Sequence, residues 1–355
     1  MRAKALCLVL FLAAISVSPQ PAWSECAPRQ RSLCIPWDTD EIRMVFGGDV
    51  LLDLIPGERI LTHGIRYPFE GIALLTQNAH IAFCNLECAA SSGGEPLPNK
   101  PYTFRARPEH LDALTWAGFN VVSVANNHTL DFGVDAFLDT LAHLEDRGIV
   151  ASGGGANAKE AYTAKVVAVN GVKIGFLSFT DTFAIPKRYH HMWGLNVALT
   201  TDENRVAEAC KAAARQVDFL IVSMHFGYEY LPEVVAEQRR LARLAVDSGA
   251  GLVVGHHPHI PQGVEVYKNA PILYSLGNLV FHPYDRRAEN ALLATFSLRP
   301  NLSWSLALHP VKIQDGRVRL MDPGEADTFL EHVSTLSKEL DTEVSRVADS
   351  IRVQP

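Results

Sequence analysis

The chain is 355 residues long, 48% hydrophobic and 20% charged, which is ample for a large core and too apolar for a disordered chain. Lys and Arg number 32 against 39 Asp and Glu, a formal net charge of −7, and this balance excludes a basic nucleic-acid binder. It does not exclude an anionic substrate, because a bound metal ion supplies positive charge locally.

The first 24 residues read as a secretory signal peptide. Arg2 and Lys4 precede an unbroken apolar run, Ala5 to Ile15, and Ala22-Trp23-Ser24 offers a small-residue cleavage site near Ser24. The run is short for a membrane span, with an uncleaved anchor as the alternative. Export to the periplasm or the extracellular space is the expectation. Residues 25–40 form an N-terminal arm in which Cys26 and Cys34 could be tied by a disulfide in an oxidising compartment. Cys84 and Cys210 read as small buried apolar side chains.

Strands and helices then alternate in the rest of the chain. Ile42–Gly47, Ile81–Leu86 and Asn120–Ala125 are apolar runs that end in polar residues, the pattern of buried strands feeding loops. Val134–Leu144 carries a helical stripe, stopped by Gly148. Thr163–Val169 and Val172–Phe179 flank Asn170-Gly171, a strong hairpin signal. Helices over Glu203–Arg215 and Glu233–Asp247 alternate with strands over Asp218–Met224, Gly251–Val254 and Pro271–Ser275. Strands over Leu292–Leu298 and Leu302–Ile313 close a domain spanning 41–320. In the segment 325–355, Phe329, Val333, Leu336, Leu340, Val344, Val347 and Ile351 step by three and four. That spacing predicts an amphipathic C-terminal helix packed back on the domain. The fold class is α/β, with layered sheets flanked by helices.

Polar, metal-competent residues recur just past these strands: Asp49, then Asn85 and Glu87, then Asn127 and His128, then His225, then His257 and His259. Ligands bind α/β sheets at strand carboxyl ends, so such loops can converge on one cavity. Carboxylate, amide and imidazole donors together suit one or two divalent ions of the Mn, Zn or Fe type, and a carboxylate such as Glu87 can bridge two. Each piece alone is weak: an Asp after Gly-Gly also reads as a turn residue, and a lone Asn-His as a loop contact.

In this order the motifs resemble the calcineurin-like metallophosphoesterases, and more closely the CapA family of capsule and poly-γ-glutamate synthesis proteins. The matching segments are Gly48-Asp49-Val50, Asn85-Leu86-Glu87, Lys100-Pro101-Tyr102-Thr103-Phe104-Arg105, and Ala125 through Gly133. They continue with His225 through Glu229, Gly255-His256-His257-Pro258-His259, and Tyr274-Ser275-Leu276-Gly277-Asn278. The resemblance implies a layered metallophosphoesterase-like β-sandwich. It implies that Asp49 and His259 hold a first metal, that Asn127, His225 and His257 hold a second, and that Glu87 bridges them. His128 becomes the acid that protonates a leaving oxygen, and Glu229 a further ligand or general base. Lys100, Arg105 and Asn278 become candidates to grip an anionic polymer or phosphoester substrate. Against each stands a plain reading: loop structure for His128, Lys100 and Arg105, a turn for Asn278, a surface carboxylate for Glu229.

Leu51 stands two residues after Asp49, where the wider phosphoesterase class places a histidine. Two functional readings therefore remain. One is an exported, metal-dependent hydrolase of phosphoester or amide bonds in surface-polymer synthesis. The other is a non-catalytic, metal-stabilised scaffold of a polymer assembly complex at the membrane.

Overall fold

A computed structural model describes residues 41–354. The expected signal peptide and the expected arm with Cys26 and Cys34 lie outside the described residues. Two sheets pack face to face. In the larger, the strand order is Ser345–Val347, Ser350–Val353, Trp304–Gln314, Asn290–Leu298, Ile42–Val50, Ile81–Leu86, Val121–Ser123 and Val150–Ser152. The last four run parallel, and Ile42–Val50 is antiparallel to Asn290–Leu298. In the smaller, the order is Val264–Tyr267, Ala270–Leu273, Leu252–His256, Phe219–His225, Val172–Thr180 and Lys165–Val169, with the middle four parallel.

The side-chain alternation of each strand explains the layers. Phe219 and Ile221 of the strand Phe219–His225 join the core between the sheets, whereas Leu220, Val222 and Met224 face a second core. Helices Glu203–Ala214 and Ala236–Asp247 fill that second core with Val206, Cys210, Leu241 and Ala245. A strand buried on both faces reads as a continuous apolar run, as this one does. Between the sheets, Phe83 stacks on Phe176 at 6.0 Å, and Phe46 and Phe219 both meet Phe296. Each such side chain, fully buried, contributes roughly 1.5–3 kcal/mol. Asn170 and Gly171 turn the predicted hairpin with φ of 51° and 83°, as a type I′ turn requires. Cys84, Cys88 and Cys210 are buried free thiols.

The C-terminal segment differs from its expectation. The helix spans only Pro323–Lys338, and Ser345–Val347 and Ser350–Val353 form a hairpin on the strand Trp304–Gln314. Asp341 takes φ of 59°, and the amide of Thr342 donates to the Ser337 carbonyl, which ends the helix. Beyond that point Ile351 and Val353 are buried while Arg352 is exposed, a two-residue period that the three–four stepping concealed. Leu330, Val333, Ile351 and Val353 all enter the inter-sheet core. The helix Leu54–His63 also carries no expectation from the sequence. No helix among the described residues is long and apolar enough to cross a membrane.

Candidate metal centre

The same alternation that fills the inter-sheet core builds the site. In Ile81–Leu86 and the residue beyond it, Ile81 and Phe83 are core, so Asn85 and Glu87 take the same side. Leu252 and Val254 likewise set His256, and Phe219 and Ile221 set His225. The apolar filling thus changes to polar at the carboxyl ends of the strands. Two glycines let the layers close there: a Cβ on Gly48 would collide with the Gly277 carbonyl, and one on Gly255 with that of Tyr274. His257, His259 and Tyr230 hold φ of 96°, 59° and 60°, costly for side chains of this size and typical of functional sites.

Asp49, Glu87, Asn127, His225, His257 and His259 meet in one buried cluster. Asn85 Nδ2 donates to Asp49 Oδ1 at 2.9 Å, and the His257 amide donates to Asp49 Oδ2 at 3.2 Å. His225 Nε2 lies 2.8 Å from Asn127 Oδ1 and 3.1 Å from His257 Nδ1. Glu87 Oε1 lies 3.8 Å from His225 Nε2 and 3.9 Å from His259 Nε2, yet has no hydrogen-bond partner among the described residues. Two sets of donors have spacing fit for a cation, Glu87 with His257 and His259, and Asp49 with Glu87 and His225. Glu87 is common to both. The sets cross the expected partition, which grouped Asp49 with His259 and His225 with His257.

The electrostatics suit a cation. Burial pushes Glu87 well above the usual carboxylate range, and Asp49 and Glu229 add to the shift. Burial also opposes charge on Asp49, but the imidazoles of His256 and His259 outweigh it and hold that carboxyl well below the usual range. Burial drives His225 well down and His257 to about 3, keeping both imidazoles neutral. Burial works against charge on His259 too, and Asp49 beside it overcomes this and raises it. A buried carboxylate oxygen with no hydrogen-bond partner among the described residues, facing the neutral His225 imidazole, is a poor arrangement without a cation and a good one with it.

The other predicted residues surround this cluster. His128 Nδ1 lies 2.7 Å from Asp131 Oδ2, and Lys100 Nζ lies 2.7 Å from Asp131 Oδ1 and 3.2 Å from His128 Nδ1. Burial lowers His128, Asp131 opposes this and Lys100 adds to it. Asn278 Oδ1 sits 2.9 Å from His259 Nδ1 and orients that ring. Arg105 donates to the carbonyls of Gly93 and Gly94 and lies over the Phe132 ring, so its guanidinium braces a loop. Glu229 is exposed, and its charge reaches Glu87 and His259.

Three residues without an assigned role prove structurally central. His256 is fully buried, with Nδ1 3.3 Å from Asp49 Oδ1 and neither ring nitrogen in an aligned hydrogen bond among the described residues. Strand alternation from Leu252 was the signal that could have found it. Asn126 donates to Asn85 Oδ1 and the Leu86 carbonyl, and accepts at its own carbonyl from Trp193 Nε1, locking the loop that presents Asn127. Tyr230 places its ring 6.0 Å from His259, and burial pushes its phenol up to about 12.

Two facing sheets with a buried carboxylate–imidazole–amide cluster at their carboxyl ends define an α/β protein with a centre compatible with a divalent metal. Residues 43–283 match the bacterial capsule synthesis protein family PGA_cap, and the chain belongs to that family. It is 29% identical over 284 residues to "Capsule biosynthesis protein CapA" of Bacillus anthracis, covering 79% of this chain and 69% of that one. It is 31% identical to a "Probable polyglutamine synthesis accessory protein" of Mycobacterium tuberculosis, covering 74% of each. Among solved structures, calcineurin-like phosphoesterase YfkN from Bacillus subtilis aligns with 79% of this chain and 88% of its own, at 13% identity and a TM-score of 0.41. At that score the fold rests on the sheets described above.

Proposed function

We propose that this protein is an exported component of capsule-type surface-polymer synthesis, poly-γ-glutamate being the polymer the family suggests. In this reading it works beside a membrane-bound polymer synthesis complex and hydrolyses a phosphoester or amide bond at its buried centre. Family membership supports the setting, and the basic, apolar and small-residue order of the first 24 residues supports export. The observation that carries the chemistry is Glu87, whose Oε1 faces imidazoles from two directions with no hydrogen-bond partner among the described residues.

Asp49, Glu87, Asn127, His225, His257 and His259 would hold one or two divalent cations of the Mn, Zn or Fe type. When bound, such a cation supplies a Lewis acid for a phosphoryl or carbonyl oxygen and acidifies water. Asn85 and His256 fix the Asp49 carboxylate, and Asn278 fixes His259. Asp131 accepts a hydrogen bond from Nδ1–H of His128, which leaves Nε2 as the nitrogen that exchanges a proton with the substrate. Lys100 shares that carboxylate and keeps the pair near neutrality.

Metal analysis and hydrolysis assays on the purified mature protein, with p-nitrophenyl phosphate and γ-glutamyl oligomers, test this. Asp49→Ala and His225→Ala should lose bound metal and lower activity at least about 100-fold. Unchanged activity in both would overturn the reading. The scaffold reading is favoured by Leu51, fully buried at the place of a class ligand. A deletion strain whose polymer yield is restored by Asp49→Ala would select the scaffold.

A further inference from the structure

A cavity of about 680 Å³ opens beside the metal cluster, and none of the six cluster residues lines it. Its size is within the roughly 300–1,000 Å³ usual for small-ligand sites. One wall is a face of the helix Leu54–His63, where Leu54, Glu58 and Leu61 recur at helical spacing. The other walls are Ser91, Ser92 and residues of the segment Arg105 to His110. His110 is buried in its wall, only 5% exposed. Its Nδ1 donates to the Leu52 carbonyl at 2.8 Å, and its Nε2 has no hydrogen-bond partner among the described residues. In the neutral ring a proton on Nδ1 makes Nε2 an acceptor, so the group that satisfies it is a donor. Gly57 makes room for this imidazole, since a Cβ there would lie 3.2 Å from His110 Cε1. Leu54 holds φ of 52°, costly for a branched side chain and typical of functional sites.

The cavity is lined by the carboxylates of Asp53, Glu58 and Glu109 and the guanidiniums of Arg105 and Arg107. Asp53 accepts from the amides of Leu54 and Arg105, and the Arg105 guanidinium donates to the carbonyls of Gly93 and Gly94. Arg59, next to Glu58 on the helix, is paired with Asp315. Glu58, Arg107 and Glu109 remain, all exposed, with no ion pair or side-chain hydrogen bond among the described residues.

Two open carboxylates and a buried acceptor call for an ammonium, and one open guanidinium calls for a carboxylate. Leu54 and Leu61, 37% and 58% exposed, offer aliphatic surface to methylene groups. A run of carboxylates would meet two open anions here for one open cation, and a bare amine would leave Arg107 unused. We propose that this cavity binds an α-amino-acid head group, its ammonium towards His110, Glu58 and Glu109 and its carboxylate on Arg107. The amino-terminal unit of a γ-linked glutamyl chain carries such a head, because γ-linkage leaves its α-ammonium and α-carboxylate on one carbon. That source rests on the polymer reading above, whereas the site does not.

Calorimetry on the mature protein with glutamate, tri-γ-glutamate and the N-acetyl form of each tests this. Glutamate or the tripeptide should bind, and N-acetylation should weaken that binding about tenfold or more. Arg107→Ala and the double variant Glu58→Gln, Glu109→Gln, all at exposed positions, should each weaken it by a similar factor. Asp49→Ala should leave it intact. A tripeptide that binds more tightly than glutamate supports the chain end as the ligand, and glutamate binding at least as tightly supports the free amino acid. No binding, binding indifferent to acetylation, or variants at Glu58, Arg107 and Glu109 that bind like the parent would overturn the proposal. So would binding lost in Asp49→Ala, which would place the ligand on the metal centre. Binding without any metal-dependent hydrolysis would overturn only the hydrolase reading, and hydrolysis without binding only this one.

Discussion

Glu87 shows what the centre demands of a single side chain. Its carboxylate is fully buried beside Asp49, and one oxygen has no partner among the described residues. An unsatisfied buried polar group costs about 1–3 kcal/mol. Burial holds the metal-free carboxyl well above its usual range, so folding forces it towards the protonated form; Glu87→Gln is neutral in both states, avoids that cost and keeps the shape. The metal-free variant should therefore be more stable than the metal-free parent by about 1–2 kcal/mol, and should lose the stabilisation that added divalent metal gives the parent. Thermal unfolding with and without chelator reads both effects, and a variant that still gains stability from metal would contradict the assignment. Asp131 acts one step further out, on His128 and Lys100. Asp131→Asn should leave metal content unchanged and lower hydrolysis about 100-fold through loss of the oriented proton-transfer group. A displaced pH–rate profile would separate this positioning role from simple loss of fold, and an unaltered rate and profile would remove it.

The strands position the cluster, and much of that was readable. Ile81–Leu86 has the predicted limits, and Asp218–Met224 shifts by one residue to Phe219–His225. Continuous apolar runs that stop at a polar residue are hard to mistake when both faces of a strand are buried. The gathering of Asp49, Glu87, Asn127, His225, His257 and His259 was legible from their places past the strands, because a parallel sheet brings those ends together. The shared place of Glu87 was expected, but the sorting of Asp49, His225, His257 and His259 into two sets about it was not legible, since it depends on how one sheet lies over the other. The C-terminal hairpin was hidden because Leu340, Val344, Val347 and Ile351 satisfy a helical spacing that Asp341 interrupts. Close approach of the strand ends depends on Gly48. Gly48→Ala would drive a methyl group into the Gly277 carbonyl, within the pairing that holds Asp49 beside Asn278. The expected loss is about 4 kcal/mol, near the top of the range for single substitutions. Gly324→Ala, where an added methyl group meets nothing within 4 Å, is the control and should be neutral or slightly stabilising. Equal melting temperatures for the two variants would refute the steric account.

At the scale of the whole molecule, stacking two sheets buries polar groups that have no part in the metal cluster, and these link folding to pH. His309, on the strand Trp304–Gln314, is buried with Nε2 2.9 Å from Thr295 Oγ1. Burial pushes its imidazole down from an ordinary 6.5 to about 4. In the unfolded chain the ring takes up a proton below pH 6.5, while in the folded protein it resists until about pH 4. The unfolded state therefore binds more protons across this window, so stability rises with pH there and is lost on acidification. The contribution is present in full above pH 6.5, declines towards pH 4 and amounts to about 3 kcal/mol. His309→Gln keeps a polar partner for Thr295 but cannot titrate. Chemical unfolding of the chelated protein at pH 7 and pH 4.5 should show a smaller fall in stability for the variant than for the parent. The chelator matters, because a bound cation adds its own proton linkage through the histidine ligands. Parallel stability–pH curves for the two proteins would show that His309 is not the group that couples the packed sheets to acid.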